Sequence, residues 1–263
     1  MTTGALLLHA WTWRPVVAAI IAAALGAHAA RWRFAYPWRS LALLAASTAV
    51  VLALASPIDG LARGTLFSAH MLQHMLLALV VPPLALLALP AEASTPRATG
   101  GAAVRRTPAV VPWAMGVGAM WLWHAPTLCN AAATTGTVRA LQNVSLPILG
   151  AAFWWPILGP RFERRLPDMA AVIYLFTACV ACTILGIAIT LSPVVVCAAY
   201  GHAADPLGAL PLVRGQWGLT PVVDQQLGGL LMWVPGCTVY AWAILAIVAR
   251  FYGAPHVKIQ EAS

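Results

Sequence analysis

Residues 69–90 read AHMLQHMLLALVVPPLALLALP, an apolar run whose polar side chains, His70, Gln73 and His74, all lie near its start. About 20 apolar residues in an α-helix cross a hydrocarbon core about 30 Å thick. Strands of a membrane barrel would instead alternate apolar and polar residues, and this stretch does not alternate. The run is therefore predicted to be a transmembrane helix, with both histidines in its first two turns.

Six further apolar runs extend this prediction to the whole chain. Hydrophobic residues make up 61% of the 263 residues and charged residues 8%, whereas soluble domains carry about 25% charged residues. The sequence predicts an all-α fold: a polytopic bundle of about seven transmembrane helices in a single domain over residues 1–263. The predicted helices cover residues 15–30, 40–57, 69–90, 109–128, 141–159, 170–199 and 222–250, with a loop at 91–108.

Basic residues set the predicted orientation, because cytoplasmic loops of membrane proteins are enriched in Lys and Arg. With the N-terminus outside and the C-terminus in the cytoplasm, eleven basic residues lie in cytoplasmic segments and four in outer segments. The opposite orientation would reverse this ratio. The cytoplasmic set is Arg31, Arg33, Arg39, Arg97, Arg105, Arg106, Arg161, Arg164, Arg165, Arg250 and Lys258, and the outer set is Arg14, Arg63, Arg139 and Arg214.

Four ionisable side chains are predicted at one depth, near the outer ends of the helices, where ionisable groups are costly and commonly functional. His70 and His74 are four residues apart and share one face of the third helix. His124 precedes Pro126, which ends the fourth helix, and Asp224 begins the seventh. The start of the fifth helix adds Gln142 and Asn143 at the same depth.

This group of side chains has the chemistry of a transition-metal site. Imidazole and carboxylate groups bind copper or zinc, and thioethers favour Cu(I). The predicted ligands are His70, His74, His124 and Asp224, with Met71 and Met75 as further candidates. The two methionines are turned about 100° from the histidine face, so all four side chains of this helix cannot point at one ion. The alternative is structural, since polar side chains also join membrane helices by hydrogen bonds.

The five cysteines do not form an obvious disulfide framework. Cys179 and Cys182 form a C-x-x-C inside an apolar run, where a thiolate is costly and a small packing residue is the favoured interpretation. Cys129 and Cys197 lie near helix ends on the predicted outer side, where the two thiols could form a disulfide.

The sequence also predicts the positions of two other residues near the outer ends of the helices. Pro193 is predicted inside the sixth helix, where it would produce a kink that either opens a cavity or serves packing. Arg139 lies at the outer end of the fifth helix and is expected to reach lipid headgroups or Asp224.

Three stretches resemble a known family. They are SAHMLQHMLL followed by PPL (residues 68–84), WLWHAP (121–126) and DQQLGGLLMWVPG (224–236), with FWWP (153–156) as weaker support. The combination is similar to the CtaG family of cytochrome c oxidase assembly factors, which are seven-helix bacterial membrane proteins. The hydropathy matches along nearly the whole chain.

The resemblance implies a role in maturing a haem-copper oxidase by binding or delivering copper at the extracytoplasmic face. It also implies oxidase subunits as partners and the bacterial cytoplasmic (inner) membrane as the location. The residues carried over are His70, His74, His124 and the acidic Asp224. The family often has a second histidine pair where this chain has Arg139 and Asn143. Arginine cannot be a ligand, so a site that needs that pair would be lost or altered.

Other function classes remain as alternatives. No enzyme is predicted, because the sequence lacks a Gly-rich phosphate loop and the G-x-S-x-G and H-E-x-x-H motifs. The rivals to an assembly factor are a transporter of copper or another small solute, a haem-binding membrane protein with two axial histidines, and a metal-free scaffold for oxidase subunits. Nucleic acid is not an expected partner, since the basic residues lie in short loops between apolar runs.

Overall fold

The structure, a computed structural model, describes residues 2–32, 36–89, 108–160 and 165–253. Within these ranges every regular element is a helix, which confirms the predicted all-α class. The seven long helices are α1 (Pro15–Trp32), α2 (Pro37–Leu54), α3 (Phe67–Ala88), α4 (Val110–Trp123), α5 (Gly136–Leu158), α6 (Asp168–Leu191) and α7 (Pro221–Gly253).

Their number and order agree with the seven predicted runs. Five of them, α2, α3, α5, α6 and α7, are long and apolar enough to cross a membrane, whereas α1 and α4 are apolar but shorter. Apart from residue 108, the predicted loop at 91–108 lies outside the described residues. So do seven of the basic residues used for orientation: Arg33, Arg97, Arg105, Arg106, Arg161, Arg164 and Lys258.

Prolines end two helices earlier than the apolar runs predicted. α6 stops at Leu191, and Ser192 is extended (φ −62°, ψ 124°), as expected for a residue that precedes a proline. Pro193 therefore lies outside the helix, and the predicted kink in α6 is wrong. α4 likewise stops at Trp123 because Pro126 begins a separate short helix.

Four short helices and one π-helical turn lie on the same side of the bundle as the N-terminus, in a layer that we call the cap. Leu6, Leu61, Leu66 and Leu212 form an apolar cluster that joins its parts to the start of α3. The members of the cap are Thr3–His9, Pro57–Ala62, Pro126–Thr134, Ala198–Gly201 and Pro211–Gln216.

A disulfide fastens two parts of the cap together. It joins Cys129 to Cys197, whose Cα atoms are 5.9 Å apart. Beside it, the side-chain oxygen of Asn130 accepts a hydrogen bond from the Ala199 backbone N–H at 2.7 Å. The segment that precedes α5 is thus tied covalently to the segment that follows α6.

α3 is the central helix of the bundle. In its most apolar window 56% of the residues are buried, against 22–39% in the other four candidate spans. It packs against α2, α5 and α7 along its length. Its middle, Met75–Val80, forms π-helical turns just before Pro82. Pro82 has no N–H to donate to the Ala78 carbonyl oxygen, and this accounts for the loosened helical turns.

α7 approaches α3 closely at a glycine. A Cβ added to Gly228 would lie 2.5 Å from Phe67 Cδ1 and 3.0 Å from Met71 Cγ. At the neighbouring Gly229, an added Cβ would lie 2.3 Å from Thr190 Oγ1 of α6. The paired glycines therefore let α7 pack between α3 and α6.

Candidate metal centre

The histidine-bearing turns of α3 begin at a carboxylate supplied by α7. Leu66, which precedes α3, has no side chain that could cap the helix. Instead, Asp224 accepts hydrogen bonds from the Phe67 N–H (2.8 Å), the Ser68 N–H (3.0 Å) and the Ser68 hydroxyl (2.6 Å). Free N–H groups at a helix start carry partial positive charge and favour an anion. Asp224 thereby fixes the start of α3 against α7.

His70 and His74 lie one turn apart on α3 and are both fully buried. Their ring centroids are 4.2 Å apart. None of their four ring nitrogens has a hydrogen-bond partner. Leaving a buried polar atom without a partner costs about 1–3 kcal/mol. Four such atoms in one place are unusual for a bundle held together by packing alone.

His124 joins them from the end of α4. Its Nδ1 donates to the Met120 carbonyl oxygen at 2.5 Å, so in the neutral ring Nε2 carries a lone pair and no hydrogen. That Nε2 faces the Met71 thioether sulfur at 3.0 Å. The ring centroids of His74 and His124 are 5.3 Å apart. Three imidazoles and one thioether are therefore gathered between α3 and α4.

The two candidate methionines lie in different parts of the bundle. Met71 meets His124, because the ring from α4 reaches the side of α3 to which Met71 is turned. The angle along α3 alone did not reveal this contact. Met75, one turn further along, lines an apolar cavity deeper in the bundle together with Met120 and Met232.

Asp224 lies beyond the imidazoles, on the cap side of His70. Both of its carboxylate oxygens are occupied by the start of α3, and Arg214 lies 3.9 Å away. Between this carboxylate and the histidines, Tyr200 packs its ring on Phe67 and His70, with centroid distances of 5.6 Å to each.

Tyr200 closes the site from the cap. Its hydroxyl donates to the Ala62 carbonyl oxygen at 2.9 Å. Burial raises the pKa of this phenol, so it stays a hydrogen-bond donor at neutral pH. Two amide side chains of α5 border the other side. Gln142 is fully buried beside the His74 ring and close enough to interact with it, although its amide atoms make no hydrogen bond of normal distance and angle. The side-chain oxygen of Asn143 also has no hydrogen-bond partner.

The donors fit a soft cation better than a hard one. Among the described residues, no three His, Cys, Asp or Glu side chains form a ready metal-binding group. The close set is instead His74, His124 and the Met71 thioether, with His70 stacked beside His74. Two imidazoles on one ion, with metal–nitrogen distances near 2.0 Å, place their ring centroids about 5 Å apart, which is close to the His74–His124 spacing.

A second polar cluster next to the histidines was not anticipated from the sequence. Asp59, in the short helix before α3, is buried and forms ion pairs with Arg14, Arg63 and Arg139. Gln73 of α3 also donates to its carboxylate at 3.1 Å. The available signal was SPID at residues 56–59, where a serine N-cap followed by proline marks a new helix start at the very end of the second apolar run.

The predicted partners of Arg139 are wrong. Its guanidinium is buried and donates to the Ala62 carbonyl oxygen at 2.9 Å and to Gln73 Oε1 at 3.1 Å, and it pairs with Asp59 rather than with headgroups or Asp224. A cation is thus fixed beside Gln73, which lies between His70 and His74 in the sequence of α3. Since Arg139 is fully engaged with these oxygens, it has a structural function in the cap.

Comparison with known proteins identifies the family. The family model for the cytochrome c oxidase caa3 assembly factor (Caa3_CtaG) matches residues 8–254. The search of curated proteins and the search of solved structures each found no match. The matched region contains α1 to α7 and each of His70, His74, His124 and Asp224. The chain belongs to the caa3-type cytochrome c oxidase assembly factor family, CtaG.

Proposed function

We propose that this chain binds Cu(I) at the extracytoplasmic face of the bacterial inner membrane and delivers it to a cytochrome c oxidase subunit during assembly. The observation that carries the proposal is the group of four unpartnered imidazole nitrogens of His70 and His74, next to His124 Nε2 and the Met71 sulfur. Their burial is unfavourable unless a ligand occupies them.

The donor chemistry favours copper in its reduced state. Imidazole suits copper, zinc and iron, whereas thioether sulfur selects Cu(I). The Asp224 carboxylate, which is a hard donor, instead accepts hydrogen bonds from the backbone at the start of α3. His74, His124 and Met71 would hold the ion, with His70 as the further imidazole available for exchange. Bound Cu(I) would supply the metal that a haem-copper oxidase requires, and the chain's own residues keep it desolvated.

Two observations support an extracytoplasmic site. The arginine ratio predicts that the cap faces outward. The cap also contains the Cys129–Cys197 disulfide, and disulfides persist in oxidising compartments such as the bacterial periplasm. A cap in the reducing cytoplasm would be expected to keep these cysteines as thiols.

Metal analysis of the histidine variants tests the proposal. The detergent-purified protein is loaded anaerobically with Cu(I), and bound copper is measured per chain. We expect His70→Ala/His74→Ala to lose the copper that the wild type holds at this site, and His9→Ala/His202→Ala, at two exposed histidines, to retain it. Equal copper in the wild type and His70→Ala/His74→Ala would overturn the metal role.

Oxidase maturation tests the delivery role separately. In a strain that lacks the gene, wild-type protein should restore oxidase activity and oxidase copper content, and His70→Ala/His74→Ala should fail at equal protein level. If the histidine variant restores both, the chain acts as a metal-free scaffold for oxidase subunits.

A further inference from the structure

A cavity lined with sulfur lies in the bundle directly beneath the histidines. Its walls come from five helices, α3 to α7, and include Met75 of α3, Met120 of α4, Cys182 of α6 and Met232 of α7. The rest of the lining is apolar or aromatic, apart from the Tyr240 hydroxyl. Four of these helices thus contribute a sulfur-containing residue to the wall of one cavity.

The methionines are distributed unevenly. Within the described residues, the buried ones are Met71, Met75, Met120 and Met232, and all four lie at the histidines or around the cavity. The remaining two, Met115 and Met169, are exposed on the outside of the bundle. Methionine fills irregular core gaps, but packing alone gives no reason for a cavity to remain between three methionines.

The cavity and the histidine site share one residue, Met120. Met120 belongs to both: its carbonyl oxygen holds His124 Nδ1, and its side chain lines the cavity. Met75 lies one helical turn below Met71 on α3, where side chains four residues apart are neighbours. Soft donors therefore continue from His124 and Met71 into the centre of the bundle.

Cysteines extend the sulfur cluster on the far wall. The Cys182 thiol interacts with the Tyr240 hydroxyl. Cys179 does not pair with Cys182, its partner in the C-x-x-C. Instead its sulfur lies 3.1 Å from Cys237 of α7. One thiol is thus left facing the thioethers, with a hydroxyl beside it.

We propose that this cavity is a second Cu(I) site, formed by the Met75, Met120 and Met232 thioethers and the Cys182 thiolate. The inference rests on the proposed function, since the histidine site would supply the ion. Inside a membrane a cation without a neighbouring negative charge is energetically costly. Binding of Cu⁺ to Cys182 forms a Cu–S bond and breaks the S–H bond, and one proton leaves to solvent. The positive charge of Cu⁺ and the negative charge of the thiolate then cancel, and copper stays in the Cu(I) state.

Stoichiometry separates the two sites. The full-length protein in detergent is titrated anaerobically with Cu(I) in competition with a chromogenic Cu(I) chelator. We expect two ions in the wild type and one ion in both Met75→Leu/Met120→Leu/Met232→Leu and His70→Ala/His74→Ala. Met115→Leu/Met169→Leu is the matched control and should bind two, because leucine replaces methionine with little change of volume at exposed positions.

X-ray absorption at the copper edge identifies the donors of the ion that remains. In the methionine variant the retained ion should show nitrogen neighbours and the single sulfur of Met71, which also reports that the histidine site is folded. In the histidine variant it should show sulfur only, and Cys182→Ser should abolish the proton released on binding it.

Each outcome bears on one site. One ion in the wild type that the methionine variant retains overturns the second site and leaves the proposed function standing. One ion that the methionine variant loses and the histidine variant keeps overturns the histidine site instead. If the methionine variant shows as many sulfur neighbours per copper ion as the wild type, the thioether site is likewise overturned, because the histidine site supplies only the Met71 sulfur.

Discussion

At position 224, a carboxylate from α7 accepts the backbone N–H groups of Phe67 and Ser68 at the start of α3. This single side chain holds the turn that carries His70. A carboxylate in such a position acts on the histidines through the helix that it caps. The sequence placed Asp224 at the right depth, but depth alone does not distinguish a ligand from a cap.

Replacing this carboxylate should cost stability. We expect Asp224→Ala to lower the free energy of unfolding by about 1–3 kcal/mol, because buried N–H groups lose their acceptor. Asp168→Ala, which removes a half-exposed ion pair with Arg250, should cost less than about 1 kcal/mol. Thermal unfolding in detergent measures both. Loss of bound copper from Asp224→Ala without loss of stability would instead indicate a ligand.

Some residues of the site follow from the sequence and others do not. The spacing of His70 and His74, and the proline after His124, brought three imidazoles to one depth, and the structure shows them in contact. The partner of Arg139 could not be predicted, because Asp59 lies between apolar runs and its burial depends on how the cap folds over α3. An ion pair between residues that are far apart in the chain produces no local pattern in the sequence.

At the scale of helices, apolar runs predicted seven elements, and prolines then fixed several of their ends. The run past residue 191 was apolar enough to continue, yet Pro193 excluded the helical conformation at Ser192. Close approach of helices is harder to anticipate. Gly228 and Gly229 lie in a stretch quoted for its resemblance, but only packing shows which helix each one faces.

A methyl group at Gly228 tests the α3–α7 contact. An added Cβ meets Phe67 at 2.5 Å, so we expect Gly228→Ala to destabilise the bundle by about 1–3 kcal/mol through overpacking. The same substitution at Gly118 of α4 meets nothing within 4 Å and should be neutral or stabilising by about 0.5–1 kcal/mol. Equal unfolding temperatures for the two variants would contradict this close packing.

At the scale of the whole molecule, the cap and the histidines share one side, and the basic residues predict that this side is outside. A phosphatase that is active only in the periplasm, inserted at the exposed Gly208 of the cap, should be active. A fluorescent protein fused after residue 263 should fold in the cytoplasm. The reverse pair of results would place the disulfide in a reducing compartment and remove the support for an extracytoplasmic copper site.

The cross-link between Cys129 and Cys197 also orders events during biogenesis. The two cysteines are 68 residues apart, and α5 and α6 lie between them. The bond can therefore form only after the nascent chain has threaded both helices through the membrane and the following loop has emerged. Tyr200, which packs on His70, lies three residues beyond Cys197 and is held in place by the same bond. On the proposed function, a newly inserted chain would present uncovered imidazoles to incoming copper until oxidation fixes Tyr200 over them.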